Sequence, residues 1–308
     1  MRIPTALSVI TTTMNELRYV GRFAPSPSGD LHFGSLVAAL GSFLQARHRQ
    51  GVWQLRIEDI DPPREVAGAS ERIIRTLEAY HLYWDGPIVY QSQRHAAYQA
   101  VIDTLLQQGD AYYCRCSRQQ RQAMGDGYNG HCRHLGYDAK DAALRLYQHQ
   151  PVYRFTDQLF GEVSVPTALA EEDFIIRRRD GLFAYNLAVV IDDIHQGMTE
   201  IVRGADLLEP TVRQIALYQR LNAPVPNFLH LPLVVNADGS KLSKQNHATA
   251  IDPANPLPHL VRALQFLGQV VPTDWQQGSI DELLQWAITH WDLQRIPRRH
   301  SEIPPLHP

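Results

Sequence analysis

The residues best suited to chemistry fall in two short runs at opposite ends of the chain. The first is Gly21-Arg22-Phe23-Ala24-Pro25-Ser26-Pro27-Ser28-Gly29-Asp30-Leu31-His32-Phe33-Gly34-Ser35, and the second is Lys241-Leu242-Ser243-Lys244-Gln245. Residues 18–23 read as a short strand, stopped by Pro25 and Pro27, which lack the N–H that a ladder needs. Gly29 then permits a turn. From there Leu36, Val37, Leu40, Phe43 and Leu44 fall on one helical face. A helix starting straight after a buried strand offers unpaired N–H groups and the positive end of its dipole, which suits a phosphate. His32 stands at that corner, and Gly34 lets a flat ring approach the backbone. Lys241 and Lys244, with Ser243 between them, suit a clamp on charge developing at pyrophosphate. Taken singly, a capped loop with a surface histidine and a solvated lysine loop account for these runs equally well.

Further candidates lie between them. Residues 52–57 read as a buried strand that delivers Glu58, Asp59 and Asp61 at its carboxyl end, where ligands sit in open α/β sheets. Asp61 precedes Pro62-Pro63, a setting in which a carboxylate caps the next helix. A substrate carboxylate needs a bidentate, permanently charged partner, and Arg22 and Arg203 are the candidates. Cys114, Cys116 and Cys132 cluster within a loop-rich stretch, a pattern for zinc held by thiolates. By chemistry alone, His131 or His134 would close a tetrahedral set.

In this order and wording the two outer runs resemble the HIGH and KMSKS signatures of class I aminoacyl-tRNA synthetases. Arg22-Phe23-Ala24-Pro25-Ser26-Pro27-Ser28-Gly29, Arg56-Ile57-Glu58-Asp59-Ile60-Asp61-Pro62 and Glu200-Ile201-Val202-Arg203-Gly204-Ala205-Asp206 are similar to the glutamyl branch. The Cys-x-Cys…Tyr-x₃-Cys pattern and Lys-Leu-Ser-Lys-Gln resemble the glutamyl-queuosine tRNA(Asp) synthetase family, over roughly residues 17–268. The resemblance implies a glutamate site at Arg22, Ser26, Glu58, Tyr185 and Arg203, and an ATP site at His32, Gly34, Lys241, Ser243 and Lys244. His32 and Lys244 would carry the catalysis, and Tyr128 would be the fourth zinc ligand. It leaves open which arginine takes the side-chain carboxylate. It further implies ATP as substrate, Mg²⁺, one structural Zn²⁺, and the anticodon stem-loop of tRNA(Asp) as partner. Only about sixty residues follow the lysine run, too few for the anticodon-reading domain of a full glutamyl-tRNA synthetase. A truncated synthetase that charges a tRNA 3′ end is the alternative within the class. A nucleotidyltransferase of the same fold and an inactive RNA-binding paralogue are the alternatives outside it.

The elements that must position these residues alternate between strand and helix, which implies an α/β fold with a doubly wound parallel sheet. Stripes at Ile73, Ile74, Leu77 and Tyr80, at Val101, Ile102, Leu105 and Leu106, and at Val212, Ile215, Ala216 and Leu221 read as core-facing helices. Asp180-Gly181 between apolar runs signals a hairpin, with Phe183 to Asp193 as its continuous apolar arm. Arg203 is placed just past a short strand, and residues 230–235 read as another strand. The expected division is a tail at 1–16, the first half of a class I Rossmann-type sheet at 17–110, and an inserted zinc-containing subdomain at 111–172. The second half of the sheet follows at 173–245, then a short helical region and tail at 246–308. With 308 residues, 44% hydrophobic, the chain can bury a sizeable core. Its net charge of −3 offers no global attraction for nucleic acid, so RNA contact must use local patches such as Arg177-Arg178-Arg179. No run is apolar enough to span a membrane, no convincing signal peptide opens the chain and three cysteines make no disulfide framework, so a cytoplasmic protein is expected; a monomer is expected as well.

Overall fold

Pairing of the described strands follows from where prolines and glycines stop them. The computed structural model describes residues 18–125, 127–236 and 249–304. Strand β1 (Val20–Phe23) ends before Pro25, and Gly29, at φ 134°, makes the turn into α1 (Phe33–His48). Next come β2 (Val52–Ile57), α2 (Ala69–Ala79), β3 (Val89–Tyr90), α3 (His95–Gln107) and β4 (Ala111–Cys114). The middle of the chain holds α4 (Arg118–Gln122), β5 (Ala143–Leu146), β6 (Arg154–Asp157), β7 (Gly161–Ser164), α5 (Thr167–Glu171) and β8 (Ile175–Arg177). Then follow α6 (Tyr185–His195), β9 (Glu200–Gly204), α7 (Thr211–Arg220), β10 (Asn227–Leu231), α8 (Pro256–Phe266) and α9 (Ile280–His290).

Parallel strands β1, β2 and β3 form one sheet, and β7, β6, β10 and β9 another, in which β10 runs parallel to both neighbours. The two meet edge to edge. Thr199 donates its N–H to the Val20 carbonyl at 2.9 Å, and Val20 donates to Thr199 Oγ1 at 2.9 Å. Helices cover both faces. On one side α1, α2, α8 and α9 bury Leu40, Leu44, Ile73, Leu264 and Leu284 against Trp53, Leu55 and Leu229. On the other, α3, α6 and α7 bury Ile102, Leu187, Val190 and Leu217 against Ile201 and Phe228. This is a doubly wound α/β arrangement with its ligand-binding edge at the carboxyl ends of β1, β2 and β9. Antiparallel strands β4, β5 and β8 make a separate small sheet. Thus β6 joins the central sheet and β8 the small one, and the two interleave around residue 172.

Three local expectations are corrected. The apolar run after Phe183 is helix α6 rather than a hairpin arm; only an isolated bridge, Arg177 to Phe183, follows the Asp180-Gly181 turn. Residues 187–193 are buried throughout, and a run buried all round has no periodicity to separate helix from strand. Arg203 lies inside β9 rather than beyond it. The strand expected at 230–235 is β10, which ends at Leu231 because Pro232 has no N–H to donate. At the far end, Gly268 closes α8 with φ +73°, and a Cβ there would stand 2.1 Å from the Arg295 carbonyl oxygen. Ser279 and Glu282 form the expected capping box on α9. Trp291 donates its indole N–H to Gln45 Oε1 at 2.8 Å, tying this region to α1.

Candidate active site

The loop after β1 is latched to the strand beside it. Glu58 donates its N–H to the Pro25 carbonyl at 3.0 Å, and Val66 to that of Pro27 at 2.9 Å. His32 is the N-cap of α1, its Nδ1 accepting the Ser35 N–H at 3.3 Å. A cleft of about 630 Å³ opens here, lined by Ser26, His32, Gly34, Glu58 and Tyr185, with Leu231 to Val234 as its far wall. His32 also forms a bridge with Ala250, and the Ile251 N–H reaches the Leu31 carbonyl at 2.9 Å. Lys241, Ser243 and Lys244 lie outside the described residues, whose nearest flanks, Asn236 and Thr249, adjoin that wall and that bridge.

Beneath the cleft the strand ends carry buried charge. Arg22 on β1 donates from Nε and Nη2 to the two Asp193 oxygens at 3.2 and 3.3 Å. Arg56 on β2 donates from Nη1 to Asp193 Oδ1 at 2.7 Å and from Nη2 to Glu58 Oε1 at 3.4 Å. All four side chains are buried. Burial opposes ionisation of Asp193, but Arg22 and Arg56 outweigh it and hold its carboxyl below the usual range. Glu58 goes the other way: burial raises its carboxyl above the usual range, despite Arg56 and Arg22.

Arg203 is built differently. Its cross-strand partner is His230 on β10, and its Nε donates to His230 Nε2 at 3.1 Å. Its Nη2 donates to Thr211 Oγ1 at 2.7 Å, while Nη1 is buried without a hydrogen-bond partner. His230 Nδ1 lies 2.7 Å from Asp157 Oδ2. Burial lowers the His230 pKa, so a neutral imidazole donates to Asp157 and accepts from Arg203. Burial also lowers the pKa of Arg203 and raises that of the Tyr185 phenol, the two groups attracting each other. A buried guanidinium with one unused edge, beside a phenol, a carboxylate and a helix N-terminus, suits a small molecule with carboxylate, ammonium and phosphate groups.

The cysteines converge elsewhere. The Sγ atoms of Cys114, Cys116 and Cys132 lie within 4.8 Å of one another, with Cys116 and Cys132 at 3.4 Å. Tyr128 is buried among them, its hydroxyl accepting the Cys132 N–H at 2.7 Å, whereas His131 and His134 are exposed. The Arg145 guanidinium lies 3.7 Å over the Tyr128 ring. Burial opposes ionisation of Cys114, but hydrogen bonds from Tyr128, the Cys116 backbone and Arg145 bring its thiol down to about 7. Three thiols at this spacing, one inclined to ionise, fit a soft divalent cation.

The structure thus brings Ser26, His32, Gly34, Glu58 and Tyr185 to one cleft, with Arg22 and Arg203 buried at the adjoining strand ends. Sequence reasoning missed Arg56, Asp193, His230, Thr211 and Asp157. The available signal was a charged or imidazole side chain inside otherwise apolar runs, as in Leu55-Arg56-Ile57 and Leu229-His230-Leu231.

Residues 19–261 match the family of class I tRNA synthetases (E and Q), catalytic domain. The chain is 63% identical to a glutamyl-Q tRNA(Asp) synthetase of Serratia proteamaculans, over 94% of this chain and 95% of that protein. It is 59% identical to the protein of that name from Klebsiella pneumoniae, over 95% and 99%. Among solved structures, a glutamate tRNA ligase of Elizabethkingia meningosepticum in complex with its amino acid superposes with a TM-score of 0.75 at 25% identity. That match covers 93% of this chain and 67% of the ligase.

Proposed function

Because the chain belongs to the glutamyl-Q tRNA(Asp) synthetase family, we propose that it activates L-glutamate with ATP and transfers the glutamyl group to the queuosine base of tRNA(Asp). The observation that carries this at the site is the cleft between His32 and Arg203. It has a helix N-terminus for phosphate on one side, and beneath its Gly204 lining lies the partnerless Nη1 of the neighbouring Arg203, suited to a carboxylate.

Arg203 takes the side-chain carboxylate of glutamate. Asp193 already occupies two donors of Arg22, whereas Nη1 of Arg203 has no partner. Tyr185 shares that carboxylate, and Glu58 with Ser26 holds the ammonium end. Arg22 then serves by fixing Asp193, and through it Arg56 and Glu58. In the first step a glutamate α-carboxylate oxygen attacks the α-phosphorus of ATP, brought in with Mg²⁺, and pyrophosphate leaves. His32, the α1 N-terminus, Lys241, Ser243 and Lys244 neutralise the phosphate charge, and Gly34 lets the adenine ring lie close. In the second step a hydroxyl of the queuosine base attacks the glutamyl carbonyl carbon. The carbon–oxygen bond to AMP breaks, AMP leaves with the electron pair, and the hydroxyl proton passes to water.

Cys114, Cys116, Cys132 and Tyr128 would hold one Zn²⁺. The ion would cross-link the loop around residues 114–132 and take no part in the reaction. The anticodon stem-loop docks against this module, and the enzyme works as a cytoplasmic monomer. None of the described helices is long and apolar enough to cross a membrane.

The test is transfer of radiolabelled glutamate, with ATP, to tRNA(Asp) carrying either queuosine or unmodified guanine in the anticodon. Labelling of the queuosine form alone is expected. Equal labelling of both would assign the chain to 3′-end charging instead.

A further inference from the structure

A second cavity of about 770 Å³ is lined by sequence neighbours of the cleft residues. It is lined by Asp59, Glu65, Ser92, His95 and Phe183, while Glu58, Arg64 and Tyr185 line the cleft. In the adjacent pairs Glu58–Asp59 and Arg64–Glu65 the first residue lines the cleft and the second the cavity, and before α6 Phe183 lines the cavity while Tyr185 lines the cleft.

The lining is specific in its chemistry. Asp59 accepts the Ser92 N–H at 2.9 Å and the Ser92 hydroxyl at 2.6 Å, and Glu65 accepts the Asp61 N–H at 3.2 Å. Both carboxylates are held in place and half-buried, and each keeps lone pairs for a further donor. Phe183 and His95 form an aromatic corner, with ring centroids 5.3 Å apart. The arginine in the lining, Arg177, is engaged elsewhere: Nη1 donates to Gln99 at 3.0 Å, Nε to the Gly181 carbonyl at 3.2 Å, and the guanidinium lies 5.5 Å from the Phe183 ring centroid. Two anchored carboxylates beside an aromatic corner describe a site for an organic cation joined to a flat ring.

We infer that this cavity receives the queuosine base itself, with Asp59 and Glu65 facing the protonated secondary amine of its side chain and the Phe183–His95 corner against the deazapurine. The inference rests on glutamyl transfer to queuosine as the function. Queuosine carries its diol on a cyclopentene ring beyond that amine. With the amine held at Asp59 and Glu65, the diol is the part that extends past residue 58 toward the glutamyl carbonyl. The attacking hydroxyl and the recognised charge thus belong to one rigid substituent, and guanine, which lacks both, is excluded by leaving two carboxylates unpaired.

The experiment uses the full chain with Asp59→Asn and Glu65→Gln, singly and together. Asn at 59 keeps an acceptor for the Ser92 N–H, so glutamate-dependent ATP–pyrophosphate exchange and the thermal midpoint are expected to match the wild type. Transfer to queuosine tRNA(Asp) is expected to fall in kcat/KM by about 10- to 100-fold per site, mostly through KM for the RNA. A second probe is tRNA(Asp) bearing 7-aminomethyl-7-deazaguanine, which has an amine and no diol. It should compete with queuosine tRNA better than the guanine form in the wild type, and no better in the double variant. Transfer within twofold of wild type, or a parallel loss of exchange and transfer, overturns the inference. If the wild type exchanges pyrophosphate but labels no queuosine tRNA, the function it rests on fails instead.

Discussion

Arg203→Lys isolates what one guanidinium edge contributes. In the folded chain Arg203 spends Nε on His230 and Nη2 on Thr211, at 3.1 and 2.7 Å, and leaves Nη1 buried without a partner, the edge proposed for substrate. Lysine keeps the charge but has a single nitrogen, which cannot serve Thr211 and a carboxylate in the same geometry. The loss is one charge-assisted hydrogen bond to the glutamate side chain, about 1.5–3 kcal/mol, or roughly 10- to 150-fold in kcat/KM for glutamate. The assay is ATP–pyrophosphate exchange with glutamate varied at saturating ATP, beside a thermal melt. KM for ATP should not move, and the preference for glutamate over glutamine should shrink, because glutamine offers no carboxylate for the edge to hold. A glutamate kcat/KM within threefold of wild type, with the preference intact, would refute the assignment and return the carboxylate to Arg22.

Five other substitutions test the same proposal. Asp193→Asn removes the counter-charge between buried Arg22 and Arg56 and should cost about 3–5 kcal/mol in urea unfolding. Arg22 and Arg56 hold the native carboxyl below its ordinary 3.8, so its contribution is complete above that pH and lost as pH falls through the lower native value. The variant should lack this acid-side slope. Glu58→Gln should raise KM for glutamate. Because burial lifts the Glu58 carboxyl above its ordinary 4.5, wild-type KM should climb on acidification sooner than a free carboxylate would allow, and the variant's profile should be flat there. Cys132→Ala should reduce zinc from one ion per chain to none by atomic absorption and lower the thermal midpoint. His32→Ala and Lys244→Ala should each slow pyrophosphate exchange by on the order of 10²–10³-fold, with little change in glutamate KM.

Where the sequence was legible, a local rule had one outcome. Pro25 ends β1, Gly268 ends α8 and Ser279–Glu282 starts α9, each through a backbone group that has nowhere else to go. Where it misled, two outcomes shared one pattern. The run from Leu187 to Ile191 is apolar at every position because α6 is enclosed by α3, α7 and the sheet. An enclosed helix and an enclosed strand look alike in sequence, and β-branched Val189, Val190 and Ile191 favour the wrong one. Sheet membership was not legible either. Nothing local in Arg154–Asp157 says that β6 pairs with β10, some seventy residues on, rather than with the strands of the small sheet.

The site shows the same division more sharply. Residues that face the cleft sit in contiguous wording, Phe23 through Gly34 and Glu58, and could be read as such. The groups that orient them are paired across the chain: Arg22 and Arg56 with Asp193, and Arg203 with His230 and then Asp157. Arg56 and His230 stand inside apolar runs, and what they do there depends on partners far along the chain. The pairing is also what the proposed choice between the two arginines rests on, since wording alone left them equal. An arginine clasped by both oxygens of a buried carboxylate is a strut. An arginine whose neighbours are a neutral imidazole and a hydroxyl keeps its positive charge uncompensated by any direct partner, and burial makes that costly until an anion arrives. The register His230↔Arg203 between β10 and β9 therefore does on the sheet what no motif states: it sets a buried guanidinium between neutral partners, next to the Gly204 that lines the cleft.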